Sequence, residues 1–435
     1  MPVGVYPKQS GAKIRPGAGL RWVALQRLER DRSFVLLWAG QTLSALGTEV
    51  SDIAIPTAAI FLFHAGALQV GILAALQVLP FAGLGLVIGP YLDRVRKRPI
   101  MIAADLGRFV LLGSIPLAAA LDVLTLNQLY AVALLTGCCQ VVFEVGYQSH
   151  LPVLVGRERI MGANSRLYIT STVAGTVGPA VGGFLVQFLG AARAVGADSL
   201  SYLASAISIA AMPRPEPAPS GGAGARGYRG ELAEGLRFVL NHPVLRRIAA
   251  GNAAYTIGWR AIWGIYILYC YRVIHLTPSQ VGLLLAAGGV ATLAGALLRD
   301  WMTTWLGFGR LLFVMALLMG LQAFLIPLAG LGLGAPAMVA SMVVLCAAAG
   351  SFDVAQLTLR QLLTPDRLQA RMNATMRALF WGPRPLGFLL GGVLGSAIGL
   401  VPTTGIGAGI CTLAAFAWFT PRILEMRTPP VMADA

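Results

Sequence analysis

Apolar runs of about the 20 residues that a helix needs to cross a bilayer alternate with short polar loops through most of the chain. They predict membrane-spanning helices over 34–63, 69–92, 99–121, 127–148, 164–189 and 194–212. A second set follows over 248–271, 279–298, 310–329, 336–358, 371–395 and 402–420. The even number of spans predicts that both ends of the chain lie on one side of the membrane. Between the sets, Pro213-Arg214-Pro215-Glu216-Pro217 and the Gly-rich residues after it read as a linker. Within it, 231–240 carries apolar residues at 232, 236, 239 and 240 among charges, the spacing of an amphipathic helix lying on the membrane surface. The expected organisation is a cytoplasmic tail (1–33), a first six-helix bundle (34–212), a cytoplasmic linker (213–247), a second six-helix bundle (248–420) and a second cytoplasmic tail (421–435).

The two sets repeat one another. A shift of 209 residues places Asn164 on Asn373, Gly178 on Gly387, Gly182-Gly183 on Gly391-Gly392, Gly190 on Gly399 and Glu144 on Asp353. A shift of 211 places Gln69-Val70-Gly71 on Gln280-Val281-Gly282. Internal repeats of this kind build transporters whose binding sites sit at the repeat interface.

Composition supports a membrane protein: 57% of the 435 residues are hydrophobic and 12% charged, where a soluble domain carries about a quarter charged residues. A net charge of +15 would suggest nucleic acid in a soluble chain, but its distribution excludes that reading. With the amino terminus inside, 27 of the 33 Lys and Arg fall in the tails and inner loops, as cytoplasmic loops require. The five cysteines sit in or beside apolar runs without metal-ligand spacing and are expected as packing residues, so no metal site and no cofactor are expected. No phosphate-binding Gly-Lys-Ser/Thr motif appears, which argues against direct ATP drive, and Gly83-x-Gly85 follows no strand. The basic amino-terminal segment has no short apolar core with a small-residue cleavage site, so no cleaved signal is expected.

The loop Gly89-Pro90-Tyr91-Leu92-Asp93-Arg94-Val95-Arg96-Lys97-Arg98-Pro99 stands between two of these spans. Its Gly-x-x-x-Asp-Arg-x-x-Lys-Arg pattern resembles the loop between the second and third helices of the major facilitator superfamily. Further segments resemble its enterobactin-exporter-like and macrolide-efflux branch. These are Ala104-Asp105-Leu106-x-Arg108, Gly178-Pro179-x-x-Gly182-Gly183, Glu234-Gly235-Leu236-Arg237-Phe238, Leu359-Arg360-Gln361, and Arg371-Met372-Asn373-Ala374 running into Pro385-Leu386-Gly387. Ala174 stands where the antiporter pattern has glycine, with Gly175 displaced by one. The resemblance implies the major facilitator fold, twelve transmembrane helices in two pseudo-symmetric bundles, and an ion-coupled exporter of small hydrophobic or amphiphilic molecules. Siderophores or other secreted natural products lead the expected cargoes, with drugs such as macrolides next. A membrane-embedded sensor or scaffold without transport is the alternative.

Charges inside a membrane need a partner, a cavity or a task. Glu49 and Asp52, three apart near the middle of the first span, share a face and are expected to share a proton and couple transport to it. Asp93, Arg94, Arg98, Asp105, Arg108, Glu144 and Asp353 are expected to form one cytoplasmic gate, Glu144 reaching Arg94 or Arg98. Asp198 reads as structural. In the second half, Trp259, Arg260, Trp263, Arg377, Trp381 and Arg384 combine cations with aromatic faces and are expected to line a cavity for a planar or anionic ligand. Gly178, Pro179, Gly182 and Gly183 are expected to allow close helix contact.

Overall fold

The structure is a computed structural model and describes residues 28, 31–84, 88, 95–156, 158–213, 228–418 and 420–427. Asp93 and Arg94 therefore lie outside the described residues, as does most of the proline- and glycine-rich linker. Every regular element among the described residues is helical.

The first half comprises α1 (Arg32–Phe63), α2 (Ala67–Val78, continued by a 3-10 turn to Ala82), α3 (Lys97–Ala120), α4 (Leu126–Val155), α5 (Ile160–Leu189) and α6 (Ala191–Ala210). After the linker helix α7 (Tyr228–Asn241) come α8 (Pro243–Arg272), α9 (Pro278–Leu306), α10 (Phe308–Leu321), α11 (Gly334–Leu362), α12 (Asp366–Trp381), α13 (Arg384–Ala397) and α14 (Leu400–Ala415). Among the described residues, seven helical stretches are long and apolar enough by themselves to cross a membrane. One of these, Phe308–Leu362, turns at Gly332, whose φ of 129° suits only glycine. Helix α8 falls outside that group and carries Arg246, Arg247, Arg260 and Arg272.

The expected single helix over 371–395 is two, α12 and α13, separated at Gly382-Pro383. Pro383 and Pro385 bring no backbone N–H to the junction, so the ladder cannot run through it unbroken. Segment 231–240 is helical as its spacing requires, inside α7. It does not simply lie free on a surface: Glu234 pairs with Arg371 of α12, and Gly235 admits the Arg371 carbonyl and Thr375 against α7.

Packing follows the repeat. In the first half α1 lies against α5 and α6, and α3 against α4 and α6. In the second, α8 lies against α13 and α14, and α11 against α9 and α10. The equivalent Gly190 and Gly399 both take positive φ, 82° and 91°, and release the chain into α6 and α14. Helices α2 and α9 start alike: Gln69 accepts from the Gly66 N–H at 2.7 Å and Gln280 from the Thr277 N–H at 2.8 Å.

Two seams join the halves, α5 against α9 and α2 against α13. On α5, Gly182 faces the backbone of Val50 in α1, while Gly183 faces Gly282 of α9 and the Pro278 carbonyl. On α13, Gly391 faces the Ala261 backbone of α8, while Gly392 faces Gly71 and Ala67 of α2. Each Gly-Gly pair thus binds its own half with one residue and the opposite half with the next. A methyl group at Gly282 would meet the Pro179 carbonyl and lie 3.0 Å from the Gly183 α-carbon; at Gly71 it would lie 2.8 Å from both the Gly392 α-carbon and the Phe388 carbonyl. Both obstacles are backbone, so the helices themselves must part.

Gly71→Val and Gly282→Val should each lower stability by about 1–3 kcal/mol, the range for overpacking a close contact. Thermal unfolding in detergent micelles measures this, and unchanged melting of both variants would show that the seams tolerate side chains.

Candidate functional site

Between the halves lies a cavity of about 400 Å³. Its first-half wall comes from α1 (Thr48, Glu49, Asp52, Pro56), α2 (Gln77) and α3–α4 (Arg108, Gln140), with Asp198 and Tyr202 of α6 behind. Its second-half wall carries Arg260, Trp263, Trp381, Arg384 and Phe388. Acids therefore face arginines across the space, and Asp52 interacts electrostatically with Arg260.

Glu49 and Asp52 stand near the middle of α1, and the helical spacing that put them on one face holds. Asp52 opens into the cavity and accepts from the Gln77 amide at 3.1 Å. Glu49 is half-buried, with its side-chain stem where a Cβ on Gly178 would sit, 2.6 Å from it. Gly175 lies nearest the carboxylate itself, 3.6 Å from Oε1 by the same construction. The glycine stripe of α5 accordingly seats the acid-bearing face of α1.

Asp105 and Arg108, expected in the cytoplasmic gate, are buried within the first half. The guanidinium donates to Asp105 and to Gln140, and Ser205 donates to the other Asp105 oxygen at 2.7 Å. Phe143 and Tyr202 cover Arg108 with their rings, 4.6 and 4.1 Å from ring centre to guanidinium carbon. Arg98 is elsewhere again. It donates to the carbonyls of Ile209 and Ala210 at 2.9 and 2.7 Å, capping the end of α6, where its charge also suits the helix dipole. Asp353 lies in the second half, beside a different cavity. Among the described residues, the expected gate members thus fall at several separate sites, because i,i+3 spacing and loop proximity say nothing of which neighbour each helix face meets.

Glu144 does cross between the halves, though to a residue expected in the cavity: Arg377 of α12 donates to it, and Gln148 donates to the same carboxylate at 3.0 Å. Arg377 consequently does not line the central cavity, and neither does Trp259. Trp381 does, stacked between halves on Phe81 at 4.8 Å centroid separation and covered by Arg384 at 3.6 Å.

The Glu144–Arg377 pair and the Phe81–Trp381 stack tie the halves on the side of the cavity where α1 begins, here the Arg32 face. The opposite, Phe63 face is tied more thoroughly. Thr57 and Tyr271 share a hydrogen bond at 2.9 Å, Phe61 lies on Tyr271 at 4.8 Å, and Arg272 donates to the His64 and Ala65 carbonyls at 3.0 and 2.9 Å. Thr57 is fully buried and Tyr271 nearly so, whereas Arg377 and Glu144 are 50% and 29% exposed. Water screens the ion pair, which is worth at most about 1 kcal/mol.

Sequence reasoning assigned Asp198 to structure alone. In the fold it lines the cavity, takes a 2.5 Å hydrogen bond from Ser51 and a 3.0 Å one from Ser201, and sits one turn from Tyr202, which bonds Thr48 at 2.8 Å. The signal was available: Asp198, Ser201 and Ser205 follow at i, i+3 and i+7, a polar stripe through an otherwise apolar helix.

An all-helical chain whose halves enclose a charged cavity at a repeat interface belongs to the class of membrane transporters with the major facilitator fold. Solved structures share it: a bacterial homologue of the human lysosomal transporter Spinster, inward-facing and unoccupied, matches with a TM-score of 0.70 and 15% identity over 92% of this chain and 99% of that one. A bacterial homologue of the iron transporter ferroportin, inward-facing, matches with a TM-score of 0.70 and 17% identity over 92% and 99% of the two chains. The chain belongs to the transmembrane secretion effector family of the major facilitator superfamily, whose model matches residues 26–432. It is similar to the multidrug efflux pump Tap of Mycolicibacterium fortuitum, 25% identical over 92% of this chain and 98% of that one. It is also similar to the enterobactin exporter EntS of Citrobacter koseri, 26% identical over 90% and 89%. These are transporters in the efflux branch, not enzymes.

The buried Asp105–Arg108 pair yields a sharp expectation. Asp105→Leu should cost about 3–5 kcal/mol by stranding the guanidinium, whereas adding Arg108→Leu should recover part of the loss. Thermal unfolding of the two variants compares them directly; a double variant no more stable than the single one would mean that Asp105 acts apart from Arg108.

Proposed function

We propose that the chain is a twelve-span, proton-coupled exporter of small amphiphilic organic molecules, with both termini cytoplasmic. Residues 34–212 and 248–420 serve as two rocking six-helix bundles. The observation that carries this reading is the central cavity, whose wall holds the α1 acids, Arg260, Arg384 and aromatic rings together. Alternating-access transporters place cargo and coupling ions at such a midpoint between repeats.

In this reading the bilayer excludes an unpaired carboxylate from the middle of α1. Glu49 and Asp52 sharing one proton, or facing Arg260, meet that requirement in two different ways. Outward-facing, the acid pair loads a proton from the acidic exterior as cargo departs. Inward-facing, arrival of an anionic or strongly polar aromatic cargo favours release of that proton to the cytoplasm, so that proton entry drives export. The aromatic faces of Trp263, Trp381 and Phe388 suit a planar cargo through stacking, and Arg384 already lies flat on Trp381. Siderophores, other secreted natural products and drugs fall within that chemistry, and the relatives named for multidrug and enterobactin export point the same way.

The Arg32 face is taken as cytoplasmic from the Lys and Arg excess of its loops. The two faces then have unequal gates: outside, a buried Thr57–Tyr271 hydrogen bond with Arg272 bound to two backbone carbonyls; inside, an exposed ion pair with one ring stack. Neither ATP nor nucleic acid has a place in this mechanism.

Glu49→Gln combined with Asp52→Asn should abolish uphill export driven by a pH gradient in proteoliposomes while leaving downhill exchange of cargo. Concentration of cargo against its gradient by this variant, with the pH dependence of the unaltered protein, would return both acids to a structural role. Arg384→Ala should weaken export of an anionic cargo at least tenfold more than that of a neutral analogue, and equal losses for the two would leave Arg384 a packing residue.

A further inference from the structure

Arg260 and Arg384 have a second side. Beyond them, wholly within the second half, lies another cavity of about 350 Å³ bounded by α8, α10, α11, α14 and the α12–α13 junction. Three polar atoms at its wall are buried without a hydrogen-bond partner: the Asn252 side-chain nitrogen, the Tyr255 hydroxyl and Arg384 Nε. Each can donate. Asn252 is 6% exposed, so its amide has no recourse to bulk water, and an unmet buried donor costs about 1–3 kcal/mol. The rest of the wall is largely apolar and aromatic, with Trp259, Phe352, Phe380 and Trp418. Asp353 is its one acid, and its charge is engaged electrostatically with Arg360 of the same helix. Convergent donors, two guanidinium groups and aromatic walls select an occupant with acceptor atoms on a planar apolar body.

We propose that this cavity is a second binding pocket, distinct from the central one, for the carboxylate or carbonyl end of an aromatic organic anion. The occupant's oxygens meet Asn252, Tyr255 and Arg384, and its ring lies among Trp259, Phe352 and Phe380. Because Arg260 and Arg384 form the shared wall, a molecule held here draws their charge away from the central cavity. The pocket rests on the transport reading only for its purpose; its occupancy can be measured without transport.

Cys346 lines this pocket and no other cysteine does, so it reports on occupancy. The test uses the full chain in lipid nanodiscs with 2-naphthoate as probe. Equilibrium dialysis counts bound naphthoate, and alkylation by N-ethylmaleimide is followed in a chain whose other four cysteines are alanine. The expected result is two naphthoates per chain, with alkylation of Cys346 slowed at least tenfold. Ala349→Phe, which fills the pocket, and Asn252→Leu, which removes a donor, should each abolish one bound naphthoate and leave the other. A single naphthoate that protects Cys346 and is lost in Ala349→Phe supports the pocket while sinking the anion-binding reading of the central cavity. A single naphthoate that leaves Cys346 reactive and survives Ala349→Phe overturns the proposal, as does the binding of none. Equal protection by neutral octyl glucoside or by cationic naphthylmethylamine overturns the anion specificity on which it stands.

Discussion

Backbone meets backbone where Gly183 faces Gly282 and where Gly71 faces Gly392, with no side chain between. In a bilayer the apolar effect gives two helices little reason to associate, since lipid is as apolar as leucine, so close van der Waals contact must hold them. The two seams supply that contact between the halves, and everything enclosed between them is positioned by it. Their arrangement has a mechanical corollary. Adjacent residues of one Gly-Gly pair grip different halves, so α5 and α13 belong to their own half through one residue and to the opposite half through the next. The contacts between the halves at these seams carry no long side chains.

The charges divide by the same geometry. Within the first half, Asp105 and Arg108 are paired and buried, and Arg98 caps the end of α6. Those between halves line the central cavity, close its Arg32 face, or, as Arg272 does, bind backbone carbonyls on the Phe63 face. A buried pair lost to one mutation strands its partner, whereas an exposed bridge such as Glu144–Arg377 is nearly neutral to break. The buried pair Asp105–Arg108 thus lies inside one half, while the exposed Glu144–Arg377 bridge lies between halves.

Much of this was legible in the sequence. The apolar runs gave the helices, and the 209-residue shift foretold that Gly182-Gly183 and Gly391-Gly392 do equivalent work. The Glu49–Asp52 spacing placed both acids on one face, and that face does meet the cavity. Legibility ended where a role depends on the partner across space. Glu144 meets Arg377 of α12, a pairing across space that no one-dimensional spacing encodes. Trp259 and Trp263, one turn apart, went to different cavities because α8 separates the central space from the interior of its own half. Asp198 reads as structural from its place near a predicted helix end; its polar stripe is visible in the sequence, but its partner Ser51 on another helix is not.

The repeat is also broken where the chemistry is. Glu144 and Asp353 are equivalent by the shift, yet only Glu144 reaches an arginine of the opposite half, since the position equivalent to Arg377 is Tyr168. The acids of α1 have no acidic counterparts in α8: the shift of 211 takes Glu49 to Arg260 and Asp52 to Trp263. The symmetry that builds the seams thus delivers the same helix face to the cavity from both halves, and divergence has placed acids on one copy and a cation with a ring on the other. A duplicated scaffold fixes the two walls at matched depth, and opposite charge at matched depth lets each wall meet the other's need in a medium that tolerates neither alone.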